Sequence, residues 1–232
     1  MDGTETRRTQ AQRRSRSEAA LLDAAAELIA ERGVEGTSLA SIGERAGVSR
    51  GLPTHHFGSK DALVARLSRR AQDGISRATL KALERARQSL DEVSAIDLLH
   101  LTVDAYQELL GRPTADQRAL IVMWGSTFPS CASVEGMVEA DRRSFDGWAD
   151  LIVRGQEEGS IRPDVNPRAA AVVLLGLLRG VAAVLLTDAA VGDLDEVRQT
   201  CHKWITAALS VSGSAKGRSR SPRGRRPAAR AS

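Results

Sequence analysis

Arg50, Thr54, His55 and His56 lie in one short run, Arg50 to His56, that holds no acid. These residue types suit contact with nucleic acid. An arginine guanidinium makes paired hydrogen bonds to the edge of guanine, and threonine and histidine side chains donate to phosphate oxygens. The element that would carry them is a short helix, with Ser49 as a candidate N-cap whose side-chain oxygen accepts from free N–H groups of the first turn. Upstream, Thr37 or Ser38 can cap an earlier helix in which Leu39, Ile42 and Ala46 share a face. Gly47 follows directly, as suits a residue that takes a positive φ and ends a helix. Helix, glycine turn, helix is the layout of a helix-turn-helix, whose second helix enters the DNA major groove. A solvated surface helix of any all-α protein would show the same short pattern. Lys60 follows Ser59, a further N-cap candidate, and a helix N-terminus attracts phosphate through its free N–H groups.

Other helices must hold this motif in place. Ser15 and Glu18 fit a capping box, and the helix they would open carries Leu21, Leu22, Ala25, Leu28 and Ile29 on one face before Gly33 ends it. Its expected task is to complete a three-helix core. The helix that begins at Lys60 continues past Leu63, Val64 and Leu67 towards Leu83 and links the motif to everything downstream. From about residue 90 the apolar spacing stays helical. Thr114 and Gln117 fit another capping box, and Pro129 is expected to break the helix they open. A long helix is expected from Cys131 to Glu158, an almost wholly apolar one over 168–187 and a last one capped by Asp193 and Glu196. No alternating strand pattern and no internal repeat is present.

The fold class read from this is all-α: an N-terminal three-helix helix-turn-helix domain and a larger C-terminal helical domain. The expected division is 1–14 flexible, 15–75 DNA-binding with the motif at 37–56, 76–211 ligand-binding and dimerisation, and 212–232 a disordered basic tail. Net charge is +4 over 232 residues. The tail holds Lys216, Arg218, Arg220, Arg223, Arg225, Arg226 and Arg230 without an acid, so the remainder is slightly acidic. Such a tail reads as a solvated end or as a non-specific contact to phosphate. The polar start lacks a signal-peptide core, and no apolar run reaches the roughly 20 residues of a membrane span. A cytoplasmic location is therefore expected. Cys131 and Cys201 belong to no Cys/His cluster, and no phosphate-binding loop, nucleophile elbow or zinc-protease motif occurs. No catalytic set, metal or cofactor is expected.

Residues 15–63 resemble the N-terminal domain of the TetR family of transcriptional regulators. The matching runs are AAAELIAERG (24–33), GTSLASIGERAGVSRG (36–51) and FGSKDAL (57–63). One departure is Pro53-Thr54, where the family usually has Leu-Tyr. A proline beyond the first turn costs a helical hydrogen bond, so either the second helix starts later than Ser49 suggests or its first turn is distorted. The resemblance implies that Arg50, Gly51 and Thr54 face base edges. It places Leu52, His55, His56, Lys60 and the Thr37–Ser38 cap near phosphates.

The aromatic residues cluster in the middle of the chain: Tyr106, Trp124, Phe128, Phe145 and Trp148, with Met123 and Met137. Between helices such a set lines a ligand cavity or simply packs a core. TetR-like proteins bind small effectors here, and the few charges nearby favour an apolar or weakly polar one. His100 reads as core. A helix as apolar as 168–187 is buried in a core or an interface. In TetR-like proteins the last two helices of two subunits form a four-helix bundle, which implies an interface of Leu175, Leu178, Val181, Leu185, Val197, Trp204 and Ile205. The resulting expectation is a dimeric, sequence-specific DNA-binding regulator, a repressor released from an inverted-repeat operator by a small-molecule effector. A structural DNA-binding protein with little sequence preference, and an all-α enzyme, are the other readings.

Overall fold

The structure is a computed structural model that describes residues 3–85, 89–130 and 135–211. Among these residues it is all helical, with an isolated bridge between Ile161 and Ser210 in place of any strand. The first helix, α1, runs Gly3–Arg32. It passes straight through Ser15, so residues 3–14 extend the helix where a flexible segment was expected. No proline interrupts them, and Glu18, expected to cap, pairs instead with Arg66 at 2.8 Å. Next come α2 (Leu39–Arg45), α3 (Leu52–Phe57) and α4 (Lys60–Arg85). The larger part comprises α5 (Ala95–Gly111), α6 (Ala115–Ser130), α7 (Glu135–Glu157), α8 (Pro167–Thr187) and α9 (Leu194–Leu209). The Thr114–Gln117 capping box forms, with the Thr114 N–H donating to Gln117 Oε1 at 2.7 Å. α6 then carries on through Pro129, where the missing N–H costs one hydrogen bond near the helix end.

Two apolar clusters hold the molecule. The first joins Leu21, Leu28 and Ile29 of α1, Ile42 of α2, and Leu63 and Leu67 of α4. Ala119, Leu120 and Met123 of α6 complete it, all at most 2% exposed. The second joins α5, α7, α8 and α9 through Leu99, Val103, Ile152, Leu178 and Ile205. α4 belongs to both parts, since Ile75 packs against the second cluster.

The helix pair at 39–57 is set by backbone chemistry. Ser38, not Thr37, caps α2, and its partner in a capping box is Ser41: the Ser41 N–H donates to Ser38 Oγ at 3.1 Å and the Ser38 N–H to Ser41 Oγ at 3.0 Å. Gly47 at φ 69° closes the helix, and the Val48 N–H donates back to the Gly43 carbonyl at 2.9 Å. α3 starts at Leu52 with Gly51 as its N-cap, so Ser49 lies outside it. That start places Pro53 in the first turn, where no intrahelical N–H is needed, and the proline ring is buried.

Gly43 lets the two helices meet. A Cβ there would lie 2.8 Å from the Ser49 carbonyl oxygen, 3.2 Å from Arg50 Cα and 3.3 Å from Pro53 Cδ. Gly43→Ala should therefore cost about 1–3 kcal/mol by overpacking. A urea-unfolding midpoint equal to that of the parent would show that the turn gives way freely.

Candidate nucleic-acid interface and ligand cavity

On the turn and α3, Gly51, Thr54 and His55 are exposed, while Leu52 and His56 are half-buried. Arg50 is 76% exposed and is held by Glu44 of α2. Two exposed groups such as these form a weak pair in water, so the guanidinium is readily released to a stronger acceptor. His55 and His56 meet edge-on with ring centroids 6.0 Å apart. Ser38 stays exposed at its cap.

One expected contact needs correction, and a second is engaged within the protein. Thr37 is only 3% exposed, and its hydroxyl donates to the Gly33 carbonyl at 2.8 Å. It ties the end of α1 to the start of α2 and presents nothing to a phosphate. Lys60 Nζ donates to the Val34 carbonyl at 3.0 Å and approaches Glu35 at 3.9 Å. In this state it braces the α1–α2 connection. Sequence reasoning missed Arg45, whose guanidinium reaches Glu31 at 2.9 Å and Glu27 at 3.1 Å. This hydrogen-bonded contact holds the Glu31 carboxyl below the usual carboxylate range and ties α2 to α1. Glu27, Glu31 and Arg45 are scattered over 18 positions, so only the packed helices bring them together.

The second site is a cavity of about 680 Å³ between α4, α5, α6, α7 and α8. Ile75, Ser76, Thr79 and Leu80 of α4, Leu98, Thr102 and Tyr106 of α5, Trp124 of α6 and Trp148 and Leu151 of α7 line it. Leu175 and Leu178 come from α8. Of the expected ligand residues, Tyr106, Trp124 and Trp148 are therefore brought together. Phe145 is half-buried beside the Arg179 guanidinium, which lies 4.1 Å from the Trp124 ring centre and 5.5 Å from that of Phe145. Met123 is corrected: one step along the helix from Trp124, it points into the first core at 1% exposure. The side chains of Phe128 and Met137 lie outside the described residues, as do Cys131 and the tail 212–232. His100 stays out of the cavity and stacks on His202 at 4.5 Å. The expectation of few charges is corrected too, because Arg69, Asp73, Arg143 and Arg179 all reach the cavity wall. They come from three helices, so their convergence has no local signature.

The α8–α9 surface departs furthest from expectation. Leu178 is 4% exposed, Leu185 8% and Ile205 2%, all within the second core. Val181 and Val197 pack against that core, and Leu175 lines the cavity. Of the seven expected interface residues only Trp204, 62% exposed, faces outward. The outer face of α8 is instead Val172, Val173, Gly176, Gly180 and Val184, with Val173 68% exposed. A helix apolar all round has no phase from which its inner face could be read. Length and composition alone would let α8 cross a membrane, but its inner face forms part of the core of this domain.

A paired-helix motif with an exposed arginine, packed on a helical domain that carries a ligand-sized cavity, is the architecture of a helix-turn-helix regulator. The sequence pattern of bacterial regulatory proteins, tetR family, matches residues 21–67. The repressor KstR2 of Rhodococcus jostii is 30% identical over 163 residues, covering 65% of this chain and 70% of that protein. The chain belongs to the TetR family of transcriptional regulators. Its fold matches TylP, a TetR regulator from Streptomyces fradiae, at TM-score 0.68 and 20% identity over 87% of this chain and 83% of that one. It also matches AibR, solved with isovaleryl coenzyme A and operator DNA, at TM-score 0.61 and 20% identity, covering 81% and 97% of the two chains.

Tyr106 offers a probe of the cavity, as the chain's one tyrosine. Burial pushes its phenol up to about 12 from an ordinary 10.0, against an opposing pull from Arg179. Folding thus favours the neutral phenol. That contribution is complete below pH 10 and is lost between about pH 10 and pH 12. Ultraviolet titration should place phenolate formation near 12 in the native chain and about 10 in urea. A native midpoint near 10 would mean that the cavity is open to water at Tyr106.

Proposed function

We propose that this chain is a homodimeric, sequence-specific repressor that a small-molecule effector releases from an inverted-repeat operator. One observation carries this reading. α4 begins beside the α3 helix at Lys60, and its later turns, from Arg69 to Leu80, wall the cavity. A ligand that moves α4 therefore moves the DNA-reading end of the same helix. α6 offers a second route, since Trp124 faces the cavity while Met123 fills the core beneath α1. AibR, similar in fold, binds an acyl-coenzyme A and operator DNA together, which supports the reading of two linked sites. The family's curated relatives are regulators, in keeping with a chain that works by binding and without chemistry of its own. Such a protein acts in the cytoplasm, where the DNA is.

In this proposal Arg50, Gly51 and Thr54 read base edges, and Ser38, Leu52, His55 and His56 lie along the phosphates. Lys60 joins them if DNA draws it from Val34. Dimerisation uses the exposed apolar face of α8 together with Trp204 of α9. Two motifs related by such a dimer would reach successive major grooves roughly 34–36 Å apart, or a multiple of that.

Two measurements test this. Arg50→Ala should cost about 1–3 kcal/mol on a selected operator and relax one base position. Equal loss on random DNA would demote Arg50 to a phosphate contact. Val173→Glu with Val184→Glu places charge on the outer face of α8 without touching the core. The double variant should be monomeric by light scattering and lose operator affinity. A dimer that persists would move the interface elsewhere.

A further inference from the structure

We infer that the cavity takes an amphipathic anion: an aliphatic body with a carboxylate or phosphate at one end. This deepens the proposed function and rests on it. The cavity is polarised along its length. Gln72 of α4 donates to Asp141 at 3.1 Å and accepts from Ser144 at 2.9 Å, so the middle of α4 and the second and third turns of α7 meet there. Arg69, one turn before Gln72, and the exposed Arg143, next to Ser144, both line the cavity from backbone positions at this end. Arg179 joins them, held by Asp141 at 2.7 and 3.2 Å.

The far end is built from Leu80, Leu90, Leu98 and Leu151. The carbonyl of Leu90 accepts from Arg154 of α7 at 3.0 Å, which fixes that end beside the later turns of α7. Arg69 and Leu80 are eleven positions apart on one helix, a span of about 16 Å at 1.5 Å per residue. That length suits a medium aliphatic chain.

Charge points the same way. Asp141 neutralises Arg179, but neither Arg69 nor Arg143 has an ion-pair partner among the described residues. The Arg69 Nε is buried without a hydrogen-bond acceptor there. Asp73, also on the wall, offsets one of the two positive charges, which leaves an excess of one. A buried donor without an acceptor is costly, and one anionic group bound at this end removes both that cost and the charge excess. Tyr106, in the same wall, adds a phenol hydroxyl as a further donor.

The test uses the full chain and four probes below their micelle concentrations: dodecanoate, dodecyl phosphate, dodecanol and dodecyltrimethylammonium. Binding is read by tryptophan fluorescence, because Trp124 and Trp148 line the site, and release is read on a selected operator. One or both acids should bind roughly 10- to 150-fold tighter than the alcohol, the ratio expected for hydrogen bonds to a charged group. The tighter of the two acids identifies the head group. Arg143→Gln, at an exposed position, and Arg69→Gln should each shrink that ratio, and the double variant should bring the acids down to the alcohol. An alcohol or ammonium probe that binds as well as the acids overturns the inference, and that series needs no variant. So does failure of all four probes to bind. If dodecanol releases the operator as well as the acids do, the charge assignment fails while effector control stands. A chain with no preferred operator fails the proposed function, whatever the fluorescence shows.

Discussion

The N-terminal bundle cannot close its own core. α1, α2 and α4 bury Leu21, Leu28, Ile29, Ile42, Leu63 and Leu67, yet the space they leave is filled by Ala119, Leu120 and Met123 of α6. These α6 residues belong to the larger domain by sequence and to the smaller one by packing. Side-chain packing at near-crystalline density does not deform smoothly. A shift of α6 must therefore either carry α1 with it or open a void. The cost of such a void, about 24 cal/mol per Å³ in measured series, opposes any shift of α6 that leaves α1 behind.

Polar contacts fix the register of this shared core. Arg70 of α4 reaches Asp23 of α1 at 2.8 Å and Asp116 at the start of α6. One side chain thus clamps the three helices that meet there. Asp23 is 69% exposed, so that arm is worth little as stability. Its effect is on direction: α6 can slide along α4 only by breaking the pair. Arg45 does the same for α2 against α1 through Glu27 and Glu31. The apolar cluster supplies the energy, and these pairs choose one arrangement within it.

How much of this could be read from the sequence depends on how local each feature is. The motif was legible because caps, glycines and a proline act within a few residues: Ser38, Gly47 and Ser59 mark ends that the structure keeps. Even there the start of α3 was uncertain. Ser49 read as its cap, whereas the structure starts α3 at Leu52 with Gly51 as the cap and Pro53 packed against α2. The capping signature at Ser15 misled, because a serine with a glutamate three residues on stops nothing when helix-forming residues precede it. The phase of α8 was not read from the sequence, since both its faces are apolar: leucines line the inner one, valines and glycines the outer. Its inner leucines are defined only by what α5, α7 and α9 present to them. The cavity's arginines were hidden for a similar reason, coming from α4, α7 and α8.

The adjacency of Met123 and Trp124 connects the cavity to the shared core. Neighbouring residues on a helix point about 100° apart at 3.6 residues per turn. One of the two thus faces the cavity, under Arg179, and the other fills the core below α1. Nothing has to travel between distant sites, because a single backbone segment carries both side chains. A ligand that only fills the cavity as found would leave this segment where it is and shift no equilibrium. Control requires that the ligand bind better to an arrangement in which the segment has moved. The contact of the Arg179 guanidinium with Trp124 is suited to this, because the cation is also held by Asp141. An anion drawn to the same end competes for that guanidinium. Any change in its pairing alters what rests on the indole, and through the helix backbone it alters what Met123 can fill.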